Sequence, residues 1–260
     1  MGTVYMKYTQ KNGFTLIELL VGMALSSIAI VVIVSAYTIQ VRGKNTQEAL
    51  TDMNQGARAA FEVMSDEIRM AGLDTLGSAN ARIITAGVGE LIFSMDMGNG
   101  VSNLPDGDCC DGNEIVRYHL SPAATDGDDN GVNDNIASGI VCNLGREVGD
   151  GLDPVSGCGG GVSGLQPLAR NVDVLNFVYL NGNGAVIAYG NLGTQAVRDT
   201  IRSIEVTIVV RAGTQSGGLL YSYTNNNAYL NQQGIQILPA QGDAFRRLRL
   251  GTTIQCRNVN

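Results

Sequence analysis

From Leu19 to Ile39 the chain carries no charged residue. As a helix that run rises about 31 Å, enough to cross the hydrocarbon core of a bilayer. One carboxylate, Glu18, stands at its entrance in the stretch GFTLIELL (Gly13 to Leu20), and Arg42 and Lys44 follow its far end. Beyond them the pattern changes. Leu50, Met53, Ala57, Ala60 or Phe61, Met64, Ile68 and Ala71 recur at steps of three and four, the spacing of one helical face. Glu48, Asp52, Gln55, Glu62, Asp66 and Arg69 fall on the other face. No proline precedes Pro105, so none breaks a long helix. The spacing predicts a helix from Phe14 to Ala71, weakened locally by Gly22, Gly43 and Gly56 and stopped with Gly72 near its C-cap.

After residue 80 the period shortens towards two. Glu90 to Asp96, Glu114 to Leu120, Asp173 to Leu180, Ala185 to Gly190, Ser203 to Ala212 and Phe245 to Asn258 read as strands. Asn181 to Gly184, NGNG, reads as a hairpin turn between two of them. Ile204, Val206, Ile208 and Val210 alternate with Glu205, Thr207 and Val209, the pattern of a half-buried strand. One long helix followed by antiparallel strands predicts an α+β fold. The expected organisation is a leader over 1–13, a membrane-spanning helix over 14–41, an amphipathic helix over 42–72 and a β-rich globular domain over 73–260.

Composition changes this picture little. The 260 residues are 44% hydrophobic and include 34 glycines and no tryptophan, enough for a membrane segment and one globular domain. The formal net charge of −7 and the lack of a long basic run argue against nucleic acid as a partner of the chain. An ordinary cleaved signal peptide fits poorly, because the apolar run exceeds the usual core length and Val34-Ser35-Ala36 is a weak cleavage pattern.

Glu18 discriminates further. A carboxylate at the centre of a spanning helix costs roughly 2.5–3.5 kcal/mol, and less near the interface. A partner is therefore expected. A cut between Gly13 and Phe14 would make Glu18 the fifth residue and create an α-amino cation at Phe14 able to pair with it. The stretch KNGFTLIELLVGMALSSIAIVV, Lys11 to Val32, resembles the N-terminus of type IV prepilins and pseudopilins. The resemblance implies cleavage after Gly13 by a prepilin peptidase, N-methylation of Phe14, and pairing of Glu18 with a neighbour's N-terminus during filament assembly. Major pilins of that family often carry a helix-breaking proline in the membrane half, and this chain has none there.

GNEIVRYHL, VDVLNFVYLNGNG, IRSIEVTIVVRA and FRRLRLGTTIQCRN, together with that motif, resemble the PilW group of minor pilins, related in fold to the J-type minor pseudopilins. This resemblance implies a structural subunit, not an enzyme, that primes or caps pilus assembly at the tip or in an initiation complex. It implies support of adhesion and twitching motility. Its partners would be other major and minor pilins, the prepilin peptidase, the inner-membrane assembly platform and a tip adhesin. The protein would sit in the inner membrane with a periplasmic globular domain, then in an extracellular pilus. Two alternatives stay open: a minor pseudopilin of a type II secretion system, and a membrane-anchored calcium-dependent binding module.

Several residues carry candidate chemistry. In DGDDNGVND, Asp126, Asp128, Asn130 and Asp134 are spaced as oxygen ligands 1, 3, 5 and 9 of a calcium loop. Gly131 falls at the sharp turn of such loops and Val132 at the carbonyl ligand, but the twelfth position is Ala137 and not glutamate. Calcium ligation and a solvated acidic loop both remain open, and Asp106, Asp108 and Asp111 could add a ligand or form a turn. The five cysteines, Cys109, Cys110, Cys142, Cys158 and Cys256, all follow the apolar segment, as in an oxidising compartment. Cys142 with Cys158 is the simplest bridge, and Cys109 or Cys110 with Cys256 or Cys142 is the alternative. Zinc is disfavoured because Cys109 and Cys110 are adjacent and His119 is the only histidine. His119 reads as a strand side chain, not a base. The G-x-G-x-x-G of Gly159 to Gly164 follows no strand, against dinucleotide binding. Arg246, Arg247 and Arg249 read as solvent-facing strand residues or a contact with a neighbouring subunit.

Overall fold

A computed structural model describes residues 13–98, 104–138, 140–149, 164–212, 217–218 and 221–259. The chain divides into two compact units, Met1–Gln47 and Glu48–Asn260. Helix α1, Leu16–Met70, begins in the first and ends in the second. None of Gly22, Gly43 and Gly56 interrupts it. In the first unit its side chains are almost all exposed, and it is long and apolar enough to cross a membrane. The hydroxyls of that stretch bond back to the helix: Ser26 to Gly22 O at 2.7 Å, Ser35 to Val31 O at 2.8 Å, Thr38 to Val34 O at 2.8 Å. None of these three hydroxyl donors is left unmet, which is what a hydrocarbon environment would demand.

In the second unit the expected stripe is the buried one. Ala57, Ala60, Met64 and Ile68 of α1 and the following Ala71 are buried, whereas Glu48, Asp52, Gln55, Glu62, Asp66 and Arg69 are exposed. The helix stops where Gly72 adopts φ 77°, and a Cβ there would meet Asn258 O at 3.0 Å.

The stripe packs on two antiparallel sheets. The first is a meander of β1 (Ile83–Ala86), β2 (Leu91–Ser94), β3 (Ile115–Ser121), β4 (Asn143–Val148) and β5 (Gln166–Arg170), hydrogen-bonded in that order. Asn171, at φ 57°, then turns the chain directly into β6 (Val172–Asn181) of the second sheet. There β6 lies beside β7 (Ile201–Arg211), and β7 beside the last strand, Arg247–Gln255. Between β7 and that strand come two short antiparallel pairs: β8 (Gly217–Gly218) with β9 (Tyr221–Ser222), and β10 (Tyr229–Leu230) with β11 (Gln236–Leu238). Arg247–Gln255 is therefore β12. Phe93, Tyr118 and Leu144 of the first sheet and Phe177, Tyr179 and Ile208 of the second join Met64 and Ile68 in one core. Burying a side chain such as Phe177 or Met64 contributes about 1.5–3 kcal/mol.

The α+β expectation holds, and four details differ. Strand β7 is buried on both faces: Val209 packs with Ile136, Val174 and Leu238, and Glu205 is covered by Gln233. No strand forms over 185–190. The NGNG turn closes, with Asn181 N to Ala185 O at 2.9 Å, but Val186 makes a single bridge to Leu180 and Tyr189–Asn191 is a 3-10 turn. The free edge of β6 is instead shared by three segments, through Leu175 N to Gly131 O, Phe177 N to Val88 O and Ile187 N to Tyr179 O. Strands β1, β4 and β5 and the short β8 to β11 were not expected. Arg247 is not solvent-facing: its side chain is buried between Asp173, at 2.7 Å, and Asp243, at 2.5 Å.

Candidate functional site

The first turn of α1 is built by a reciprocal cap. Thr15 precedes the helix, and Glu18 is its third residue. Thr15 N donates to Glu18 Oε2 at 2.9 Å, and Glu18 N donates to Thr15 Oγ1 at 3.3 Å. The Thr15 hydroxyl also donates to Glu18 Oε2 at 2.9 Å. This is a capping box, T-x-x-E, in which two otherwise orphaned amide donors are satisfied. Sequence reading placed Glu18 but missed Thr15, although that spacing is a recognised helix-start signature. Phe14, one residue earlier, is 91% exposed. Phe14, Glu18, Gly22, Ser26 and Ile30, at steps of four, line a shallow groove of about 500 Å³ along one face. Gly13 lies just before the cap, and leader residues 1–12 lie outside the described residues.

The acidic loop folds against β6. Asp126 Oδ2 accepts Gly131 N at 3.0 Å, Asp134 Oδ2 accepts Gly127 N at 2.8 Å, and Asn130 Oδ1 accepts Val132 N at 2.7 Å. Asp129 and Gly131 take the left-handed backbone, at φ 54° and 77°. A Cβ on Gly131 would lie 2.0 Å from Leu175 O, so only glycine fits. Val132 bridges Val174, and 3-10 turns at Ala123–Thr125 and Ile136–Ser138 flank the loop. Asp126 is buried and its carboxyl is pushed up to about 6, by desolvation first. Asp128, Asn130 and Asp134 are exposed. The carboxylates of Asp126, Asp128 and Asp134 do not converge into a three-ligand group.

A different trio does converge. Ligand oxygens of Asp96, Asp106 and Glu114 lie within 4.8 Å of one another. Asp96 and Glu114 are fully buried, and each gathers backbone amides of the intervening loop. Asp96 accepts Asp106 N and Gly107 N, both at 3.2 Å, and Glu114 accepts Met97 N at 2.9 Å, Gly98 N at 3.0 Å and Asp111 N at 3.1 Å. Their oxygens thus organise the loop. Asp108 does not join them but accepts Cys110 N at 2.8 Å.

Cys109, Cys142 and Cys256 are free, buried thiols, and Cys110 is disulfide-bonded. The expected bridges from Cys142 or Cys256 are therefore not formed; Cys142 instead meets the Thr125 hydroxyl at 2.9 Å. Cys158 and most of the glycine run after it lie outside the described residues. His119 sits in β3 with Nε2 3.4 Å from Glu147, and burial followed by the Arg117 charge lowers its pKa. Arg246 and Arg249 are exposed, as expected, with Arg246 stacked over the Tyr223 ring and Arg249 donating to Leu230 O.

Residues 9–34 match the family described as the prokaryotic N-terminal methylation motif. The chain therefore carries a type IV prepilin motif at its N-terminus, and Gly13, Phe14, Thr15 and Glu18 all fall inside it. No curated protein matches by sequence. Among solved structures the chain is similar to a type IV-like pilin from Thermus thermophilus, at 12% identity and TM-score 0.42, covering 80% of this chain and 98% of that one.

Proposed function

We propose that the protein is a type IV pilin-like structural subunit, a minor pilin of the PilW group that primes or caps a pilus. The observation that carries the reading is the N-terminal motif joined to an exposed apolar helix whose only early charge is Glu18. Cleavage after Gly13 would free an amine on Phe14, one residue from the Thr15 amide that Glu18 already binds. In this reading the carboxylate serves the helix cap in the isolated chain and a neighbour's amine in the filament. Pairing in an apolar setting is selective, because an unmatched charge there is strongly disfavoured. The helix packs in the filament core. The partners are other pilins, the peptidase, the assembly platform and a tip adhesin, and the role is structural, supporting adhesion and twitching motility. The protein passes from the inner membrane, with its sheet domain in the periplasm, into an extracellular pilus.

Mass spectrometry of the mature N-terminus tests the processing. Methylated Phe14 is expected, and an intact leader or a cut near Ala36 would overturn the reading. Assembly is tested separately by recovering Glu18→Ala protein from sheared filaments, where incorporation should fall well below wild type.

A further inference from the structure

The geometry points to a divalent-cation site of the calcium type in the acidic loop, built by Asp126, Asp128, Asn130, Asp134 and the Val132 carbonyl. An acidic loop alone would not carry this. The decisive observation is Asp126, which is only 7% exposed and whose Oδ1 is buried without a hydrogen-bond partner. Its other oxygen is taken by Gly131 N. A buried carboxylate oxygen with no donor is strongly disfavoured unless something positive meets it. Among the described residues no basic side chain forms an ion pair with it, and the bond from Gly131 N turns its carboxyl towards the loop, where Asp128 and Asp129 raise its pKa and Asn130 N lowers it.

The backbone supports the same reading. Gly131 O and Asn133 N both bond to β6, so the alternation turns the Val132 carbonyl away from the sheet. Asp128, Asn130 and Asp134 are exposed, and ligation would exchange the Asn130 Nδ2 contact to Asp128 Oδ2 and the Gly127 N contact to Asp134 Oδ2 for the cation, while the backbone bonds to β6 hold the loop. Five protein oxygens with water in the remaining positions suit calcium, which takes six to eight oxygens in flexible geometry, better than magnesium, which demands a near-ideal octahedron. Without a bidentate glutamate at position 137, affinity falls in the weak range of extracellular modules, about 10⁻⁴–10⁻³ M. The site does not depend on the pilin reading.

The test uses the full chain in detergent micelles, stripped with a chelator, with calcium chloride and magnesium chloride as probes. Calorimetric titration should give one calcium site in that range, and calcium at about 5 mM, above that range, should raise the melting temperature. Asp128→Asn and Asp134→Asn, both at exposed positions, should weaken calcium binding at least tenfold while leaving the metal-free melt unchanged. Asp66→Asn, on the exposed face of α1, should bind as wild type. Absence of both heat and thermal shift, an equal response to magnesium, or unchanged binding in both loop variants would each overturn the site.

Discussion

Glu67 of α1 receives Arg146 of β4 through both carboxylate oxygens, each 3.0 Å from Nε, with Nη2 at 2.7 Å from Oε1. The Tyr118 hydroxyl donates to the same carboxylate. Both charged side chains are mostly buried, so this pair fixes which way the end of the helix faces on the first sheet. Arg146→Ala leaves a carboxylate stranded against Tyr118. It should destabilise the domain by about 3–5 kcal/mol, and adding Glu67→Gln should recover part of the loss. Denaturant titration of the four proteins of that cycle measures this, and additive losses would show that the pair is not coupled.

Glu18→Gln separates the cap from the charge. Glutamine also closes a capping box, so the helix start should remain intact while pairing with an amine is lost. Thr15→Ala does the reverse, weakening the first turn by about 0.5–2 kcal/mol and leaving the carboxylate. Amide exchange at residues 15 and 18 in micelles should accelerate in Thr15→Ala and not in Glu18→Gln. Filament incorporation should fail more severely in Glu18→Gln. Equal incorporation of Glu18→Gln and wild type would reduce Glu18 to a helix cap.

Gly131 and Gly127 sit in the same loop but differ sharply. Gly131→Ala forces a Cβ onto Leu175 O in a left-handed backbone and should cost at least about 2 kcal/mol. Gly127→Ala meets only Asp134 Oδ2, at 3.6 Å, and should change stability by less than about 1 kcal/mol. Thermal melts of the two variants decide.

His119 gives the fold a pH dependence with a definite sign. Burial holds its folded pKa below 6.5, so the unfolded chain binds the proton more readily. Its contribution to stability is complete above pH 6.5 and is lost as pH falls through the lower folded value. His119→Gln should flatten that part of the stability curve, whatever it does at neutral pH. An unchanged slope would mean the imidazole titrates as in the unfolded chain.

The thiols should react in order of burial. Cys109 and Cys256 are pushed up to about 12 by desolvation, so little thiolate exists near neutrality. Alkylation of the native protein should be slow, and Cys109, Cys142 and Cys256 should react after unfolding without reductant, since all three are free. With reductant all five should react. A non-reducing peptide map should leave the Cys142 and Cys256 peptides unlinked and hold the Cys110 peptide in a crosslink. A Cys142–Cys158 linkage would contradict the arrangement.

Much of this was legible because long elements repeat their pattern. The helix stripe from Met53 to Ile68 and strands β2, β3, β6, β7 and β12 follow from period alone. Strands β4 and β5 did not, since Gly145 interrupts one and Pro167 the other, and their pairing comes from neighbours far along the chain. The second buried face of β7 was hidden for a similar reason. Glu205 looks solvent-facing until Gln233, distant in sequence, arrives to cover it. Arg247 looks solvent-facing in its local pattern because Asp173, one of the carboxylates that bury it, lies 74 positions earlier, and the nearby Asp243 carries no sign of burial. At the candidate sites, Glu18 and the acidic loop were visible as spacing, whereas Asp96 meeting Glu114 required the meander to form.

The carbonyl of Arg69, at the end of α1, is met by the side-chain amide of Asn258, 189 positions later. Gly72 beside it is held open for the same terminal segment. During synthesis the helix therefore leaves the ribosome long before its last turn can be closed. The two ends of the sheet domain act as a clasp, shut only when nearly everything between them has been made.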